Sequence, residues 1–275
     1  MAFSDDEQKA FRKFERSGWE KAADPYHHYW GGLSSQSANA MLDAARVGDG
    51  SAVLDVATGP GYLAGAAYGR GAQATGIDFS PAQVALAKTT YPECRFLEAS
   101  AEDLPFDDDG FDAVVIGFGM NHLPEPEAAL VEAHRVLRPG GMLAFTVWAE
   151  PNPGEGFGIV LGAIEAHGEP DVDLPKAPPY FLFADENAVR EICLSTGFVK
   201  PATRVVPQYW HHTSPDEVFD AFHDGAVRAA AILRAQSADA RNVIRAVVRA
   251  EIEKLKAGEE YIVPVPAALS CARKP

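Results

Sequence analysis

Asp55 sits inside the apolar run Ala52 to Ala57, and Asp78 closes a second apolar run, Ala74 to Ile77. Between them, Thr58-Gly59-Pro60-Gly61 carries the chain from the first run into a helical stretch. A glycine turn at that point lets backbone approach a ligand without interference from Cβ atoms, close to the positive end of a helix. A carboxylate ending the neighbouring strand can accept both hydroxyls of a ribose. The chemistry on offer is therefore the gripping of a ligand that carries a nucleoside. Gly59-x-Gly61-x-x-Ala64 also satisfies the loosened dinucleotide fingerprint, so the turn by itself does not separate one adenosyl ligand from another.

Proton chemistry near neutral pH points to histidine, and the sequence holds eight. His122 is the best placed, in Gly119-Met120-Asn121-His122-Leu123, which follows the apolar run Ala113 to Ile116. Ligands of open α/β sheets bind at the carboxyl ends of strands. Two readings of His122 stand side by side, a base facing the ligand and a turn-shaping residue hydrogen-bonded with Asn121. The adjacent pairs His27-His28 and His211-His212 lack carboxylates at metal-ligand spacing, and the expectation is that no metal is bound.

These residues need elements to position them. Ala52 to Ala57, Ala74 to Ile77, Ala113 to Ile116 and Met142 to Trp148 are expected strands; Gly61 to Tyr68, Pro81 to Thr90 and Glu125 to Leu137 are expected helices. Strands alternating with crossover helices imply a mostly parallel, doubly wound α/β sheet covered on both faces. Beyond Glu150-Pro151-Asn152-Pro153-Gly154 the texture changes. A helix over Ala184 to Thr196 and a strand over Val199 to Trp210 are expected there. Ser214-Pro215-Asp216-Glu217 should cap a helix carrying Phe219, Phe222, Ala226, Ala229 and Leu233, with a second amphipathic helix through Ile244, Val248 and Ile252. Tyr261 to Ala272 returns to strand texture, with Pro264 and Pro266 confining it to an edge or an interrupted strand.

Composition narrows the partners. The formal charge of −15 disfavours nucleic acid and anionic lipid, and no run of Lys and Arg provides a local exception. No stretch approaches the ~20 apolar residues that span a bilayer. The three cysteines, Cys94, Cys193 and Cys271, have neither zinc nor disulfide spacing, and the amino terminus lacks the apolar stretch of a secretory signal. A cytoplasmic protein without a membrane partner is expected, as a monomer or homodimer.

Ala99-Ser100-Ala101-Glu102-Asp103-Leu104-Pro105-Phe106, Phe111-Asp112-Ala113-Val114-Val115 and Val136-Leu137-Arg138-Pro139-Gly140-Gly141 follow the glycine turn in order. With Val53 to Ala64 and Gly76 to Ser80, they resemble the class I S-adenosylmethionine (SAM)-dependent methyltransferases, and most closely the branch that contains the ubiquinone and menaquinone C-methyltransferases. The resemblance is good over residues 50–148 and looser elsewhere. It implies SAM as cofactor, with Asp55, Ala57, Thr58, Gly59 and Gly61 around its methionine part, Asp78 on the ribose, Phe79, Ala101 and Glu102 beside the adenine, and Gly117 also in the site. Many relatives carry Asp where Ser100 stands and Gly where Ala57 stands.

The resemblance further implies a Rossmann-like sheet of seven strands, with N-terminal helices covering SAM and the acceptor and a helical cap inserted before the last strand. Within a single methyltransferase domain, 1–275, the expected parts are a cover at 1–45, a SAM-binding core at 46–150, completion of the sheet at 151–213, the cap at 214–258 and the final strand at 259–275. Methyl transfer from a sulfonium is an in-line displacement that chiefly needs alignment and exclusion of water, with a base helping where the acceptor carries a proton. His122 and Tyr29 are the expected catalytic side chains; Tyr26, Tyr29 and Trp30 are expected walls, alternatively plain packing of a helix on the sheet. The aromatic residues Phe157, Tyr180, Phe181, Phe183, Tyr209 and Trp210 suit a flat hydrophobic small-molecule acceptor, as a quinone precursor, a phenol or a polyketide-like metabolite would be. Methylation at O, C or N stays open. The rivals are an NAD(P)-dependent oxidoreductase and a SAM-binding protein without methyl transfer.

Overall fold

The structure is a computed structural model that describes residues 3–275. The first element is one long helix, α1 (Asp5–Ser34), followed by α2 (Ala38–Ala44). A capping box starts α1: Ser4 Oγ accepts from Glu7 N at 3.3 Å, and the Glu7 carboxylate accepts from Ser4 N at 2.8 Å. Pro25 lies within α1 and removes one backbone donor, yet the helix continues through it.

The alternating part follows as β1 (Ala52–Val56), α3 (Tyr62–Tyr68), β2 (Gln73–Asp78), α4 (Pro81–Thr90), β3 (Arg95–Glu98), β4 (Phe111–Gly117), α5 (Pro126–Val136) and β5 (Leu137–Trp148). Next come α6 (Gly156–His167), α7 (Glu186–Ser195), β6 (Val199–Val206), β7 (Tyr209–His212), α8 (Glu217–Gly225), α9 (Arg228–Ala235), α10 (Ala238–Glu253), β8 (Lys256–Ala257), β9 (Glu260–Pro264) and β10 (Ala267–Arg273).

Seven strands form the main sheet in the order β3-β2-β1-β4-β5-β10-β6. The five strands β1 to β5 pair in parallel, while β10 runs antiparallel between β5 and β6. The expected doubly wound, mostly parallel sheet of seven strands is what the chain forms. Chain order reverses between β1 and β4, so the loops leaving their carboxyl ends diverge and open a crevice. Apolar side chains fill both faces: Val53, Val115 and Ala144 pack toward α2, α3 and α6, while Leu54, Val114 and Phe145 pack toward α5 and α7.

The second half departs from expectation in four places. Val199 to Trp210 is two strands rather than one, because β7 leaves the main sheet and pairs with β9 in a small sheet, β7-β9-β8. The first cap helix does not start at Ser214; it starts at Glu217, whose carboxylate accepts from Thr213 Oγ1 and Ser214 N at 3.0 and 3.1 Å. That helix also stops at Gly225, so its apolar stripe is carried by two helices, α8 and α9. The prolines at 264 and 266 do interrupt the closing stretch as expected, separating β9 from β10, and β10 lies inside the main sheet. Helix α6, which the residue pattern does not announce, packs Phe157, Val160 and Ile164 into the core. No helix among the described residues is long and apolar enough to cross a membrane.

Candidate active site

The crevice holds a cavity of about 640 Å³. Ala57 and Gly59 after β1, Asp78 and Phe79 after β2, Ala101 and Glu102 after β3, and Gly117 and Phe118 after β4 line it. Ala57 and Phe118 both take left-handed backbone, at φ 54°, a conformation that non-glycine residues adopt at a cost. Their loops touch. A Cβ added to Gly119 would meet the Ala57 Cβ at 2.8 Å, so glycine at 119 permits the contact.

Asp55 is 1% exposed. Its Oδ2 accepts from Thr58 Oγ1 at 2.5 Å and from Ala64 N at 3.0 Å, which ties β1 to the glycine turn and to α3. Its Oδ1 has no partner among the described residues. Burial is the main reason its carboxyl rises to about 7, opposed by the Thr58 and Ala64 hydrogen bonds. Asp55, Thr58, Gly59 and Gly117 line a small cavity of about 50 Å³ behind the turn.

Asp78 is 5% exposed, and each of its oxygens holds a backbone donor, Gly59 N at 2.9 Å and Ser80 N at 2.9 Å. Burial lifts it to about 6 against those two hydrogen bonds. Gly59 opens to the cavity; an added Cβ there would meet nothing nearer than Gln83 Oε1 at 4.0 Å. Gly61 plays a different part. At φ +88° its missing Cβ makes room for the Phe96 ring, 2.9 Å from where that atom would lie, and Gly61 lines none of the three cavities. It shapes the turn from behind.

Helix α1 forms the roof of the large cavity through Arg12, Glu15, Arg16, Trp19 and Tyr26. Arg12 is ion-paired with Glu102, and Arg16 with Glu98 at 2.9 Å, so α1 is latched to the carboxyl end of β3 and to the loop that follows it. Glu102 Oε1 accepts in addition from Glu125 N at 2.9 Å. Ser100 Oγ lies 3.3 Å from Glu102 Oε2 and 3.5 Å from an Arg12 nitrogen.

A second cavity, of about 190 Å³, adjoins the first and shares Trp19, Tyr26, Phe118 and His122 with it. Its walls are aromatic. Around Trp30, ring centroids lie at 5.5 Å (Trp148), 5.8 Å (Phe157) and 5.0 Å (Phe222), and Phe118 stacks on Trp148 at 4.0 Å. Arg228 is the single Lys or Arg in its lining. Tyr180, which also lines it, has its hydroxyl held well above the usual phenol range by burial, reinforced by the Glu15 carboxylate.

His122 stands where the two cavities join, and Tyr29 does not. Helical spacing decides this: Trp19, Tyr26 and Trp30 share one face of α1, whereas Tyr29 is turned toward the acids of α8 and lines none of the cavities. Its backbone oxygen accepts from Trp210 Nε1 at 2.9 Å. Of the other histidines, His211 pairs with Glu260 and His212 with Glu217, each at 2.9 Å, and His27 Nδ1 lies 2.6 Å from the Tyr62 hydroxyl. Among the described residues no three His, Cys, Asp or Glu side chains cluster as metal ligands would.

Sequence reasoning missed Glu15. It is 2% exposed, accepts from Trp19 Nε1 at 3.1 Å, and has its Oε2 2.9 Å from His122 Nδ1. A signal was available: Glu15 falls on the face of α1 that carries Phe11, Ala22, Trp30 and Leu33, where the helical period calls for an apolar residue.

Residues 54–145 match a family model described as a methyltransferase domain. The demethylmenaquinone methyltransferase of Chlorobaculum tepidum is 42% identical over 115 residues, 42% of this chain and 46% of that protein. Its counterpart in Thermus thermophilus is 45% identical over 114 residues, 39% of this chain and 51% of that protein. The matched stretches thus span about half the length of these relatives. Among solved structures, the Haemonchus contortus phosphoethanolamine N-methyltransferase 2 in complex with phosphomonomethylethanolamine and S-adenosylhomocysteine is similar with a TM-score of 0.58 at 17% identity, over 96% of this chain and 60% of that one. Residues 54–145 thus match a methyltransferase domain and are similar to demethylmenaquinone methyltransferases, on a fold shared with a solved N-methyltransferase.

Proposed function

We propose that this protein transfers a methyl group from SAM to a small aromatic acceptor. The observation that carries the reading is the joining of two unlike cavities, one floored by the strand ends and roofed by α1 and an aromatic one beside it, through Trp19, Tyr26, Phe118 and His122. The residues present suit SAM. Asp55 Oδ1 and Gln83 Oε1 are buried acceptors that lack partners among the described residues, and the amino group and the hydroxyls of SAM supply donors. Asp55, Ala57, Thr58, Gly59 and Gly117 would hold its methionine end, with Gly61 setting the turn. Asp78 would take the ribose, and Phe79, Ala101 and Glu102 the adenine.

SAM brings a methyl group on a positively charged sulfur, open to in-line displacement. The protein's own contribution is to align and to dry the site. Helix α1 roofs the cofactor cavity, and the aromatic walls confine a flat ring with its reactive edge toward His122. His122 is placed to take a proton from that edge. The names of the relatives and the size and lining of the second cavity together support a quinol- or phenol-type acceptor. We further infer a cytoplasmic enzyme, monomeric or homodimeric, whose residues 1–45 and 214–258 cover the core at 46–150.

Calorimetric titration with S-adenosylhomocysteine tests cofactor binding, with uptake expected near one molecule per chain and NADH expected not to bind. Incubation with SAM and 1,4-naphthalenediol, followed by mass spectrometry, should show a gain of about fourteen mass units on the diol, the mass of a methyl replacing a proton in such a displacement. Binding of NADH with none of S-adenosylhomocysteine would remove the reading.

A further inference from the structure

A carboxylate 2% exposed is a costly thing to place under the roof of a cavity. Glu15 is not used by any contact that the fold itself demands. Its neighbours on the same face of α1 are apolar, its bond from Trp19 Nε1 spans one turn of its own helix, and among the described residues its one long-range hydrogen-bond partner is His122, with the Arg228 cation close enough to feel its charge. Once the cost of burying the carboxylate is counted, such a contact adds little to stability, so this pair points to a task other than holding the fold.

We infer that Glu15 is a positioning residue: it holds His122 with the proton on Nδ1 and the lone pair on Nε2, ready to accept the proton of a phenolic hydroxyl. The inference rests on the methyl-transfer reading for its purpose and on geometry for its substance. A neutral imidazole whose Nδ1 lies 2.9 Å from a carboxylate oxygen must donate there, which leaves Nε2 as the acceptor. The opposite side of the ring agrees on the tautomer, since Asn121 Nδ2, an obligate donor, lies 3.2 Å from Nε2, in a long contact that the acceptor hydroxyl must displace. Asn121 Oδ1 is buried without a partner among the described residues, so this amide is itself only half satisfied. The ring is fixed by more than hydrogen bonds, for Trp19 meets it edge-on at 5.0 Å and Tyr180 at 6.1 Å.

In the proton transfer the hydroxyl O–H bond breaks, its electron pair stays on oxygen, and the proton joins Nε2. The imidazolium then has its positive charge beside Glu15, as in other base–orienter pairs. The oxygen, or the ring carbon that it activates, becomes the nucleophile. An amine acceptor would not need such a pair, because it already carries a free lone pair at the moment of attack.

Two-bond nitrogen–proton spectra of the histidine rings, taken on the full chain at pH 8 without cofactor and assigned through His122→Gln, test this directly. His122 should show a protonated Nδ1 and a bare Nε2. Glu15→Met should turn the tautomer ratio at least about tenfold toward Nε2–H, whereas Glu15→Gln, which keeps an acceptor, should retain it. A wild-type ring protonated on Nε2, or a ratio indifferent to Glu15→Met, overturns the inference. If Glu15→Met does not fold, the wild-type spectrum decides alone. In turnover of 1,4-naphthalenediol, Glu15→Gln should lower kcat about a hundredfold and leave KM within about threefold, the size of a lost proton-transfer contribution. The spectra require no bound SAM, so they fail separately from the cofactor reading, which the S-adenosylhomocysteine titration judges.

Discussion

The two joined cavities are made of different materials. The larger takes its floor from short residues at consecutive strand ends, where β1, β2, β3 and β4 deliver Gly59, Asp78, Ala101 and Gly117 in chain order, beneath a roof of long side chains from α1. The smaller is built from large side chains that arrive from α1, the end of β5, α6, α8 and α9. A floor made of strand ends is as rigid as the sheet that carries it and tolerates little variation in its turn residues. A side-chain cavity can be recut by substitution while the sheet stays intact.

Trp30 is 3% exposed and serves the aromatic wall and the core at once, with Nε1 donating to Ala221 O at 3.0 Å. Trp30→Ala should cost about 3–5 kcal/mol of stability, read by urea unfolding, because it empties the junction of α1 with α8. A loss below about 1 kcal/mol would mean that this wall is not part of the core.

Asp55 gives the next largest effect, in the opposite direction. Its native carboxyl near 7 lies above the ordinary value of 3.8, so the native state holds the proton more tightly than the unfolded chain. Stability from this group is therefore greatest below about pH 4 and declines as pH rises to 7. Asp55→Asn should stabilise the ligand-free protein at pH 8 by on the order of 2–4 kcal/mol, with the gain shrinking toward pH 4, since each tenfold difference in proton affinity is worth about 1.4 kcal/mol. A thermal melt series at both pH values checks the sign.

At Asp78 the expected change is in binding. Asp78→Ala should weaken S-adenosylhomocysteine about a hundredfold, the worth of two hydrogen bonds to a charged group, and leave binding of 1-naphthol in the aromatic cavity unchanged. Because its carboxyl titrates near 6, affinity in the wild type should fall as pH drops through that value. Coupled losses at both cavities would show that they are one site rather than two. The smallest effect belongs to Tyr29→Phe, expected to alter turnover less than about twofold, since a substitution away from reacting groups is usually near neutral.

How far these regions could be read in advance follows from the same contrast. The glycine turn, Asp55 and Asp78 are local signals, a strand running into a bend, and they needed no knowledge of distant contacts. Glycine at 61 was visible too, but not that it serves the packing of Phe96 rather than the ligand side of the turn. The aromatic wall was legible only as a surplus of rings, because which rings meet depends on how α6, α8 and α9 dock. Tyr26 and Tyr29 show the limit well: both are tyrosines of one helix, and only its rotation against α8 decides that Tyr26 faces the cavity. Glu15 escaped notice because its partner is distant in the chain, on the loop after β4.

Strand β10 has a consequence for how the molecule comes into being. It fills the slot between β5 and β6, antiparallel to both, and among the described residues β6 has no other neighbour in the main sheet. As the chain emerges from the ribosome, everything through residue 266 can be synthesised while β6 still lacks a bonded edge and one side of β5 lies bare. Insertion of Ala267–Arg273 is then a late, long-range closure, with Lys274 Nζ afterwards reaching Leu137 O at 2.7 Å like a bolt across the seam. The nascent protein thus carries an unpaired β5 edge, open to unwanted strand pairing, until that segment is threaded.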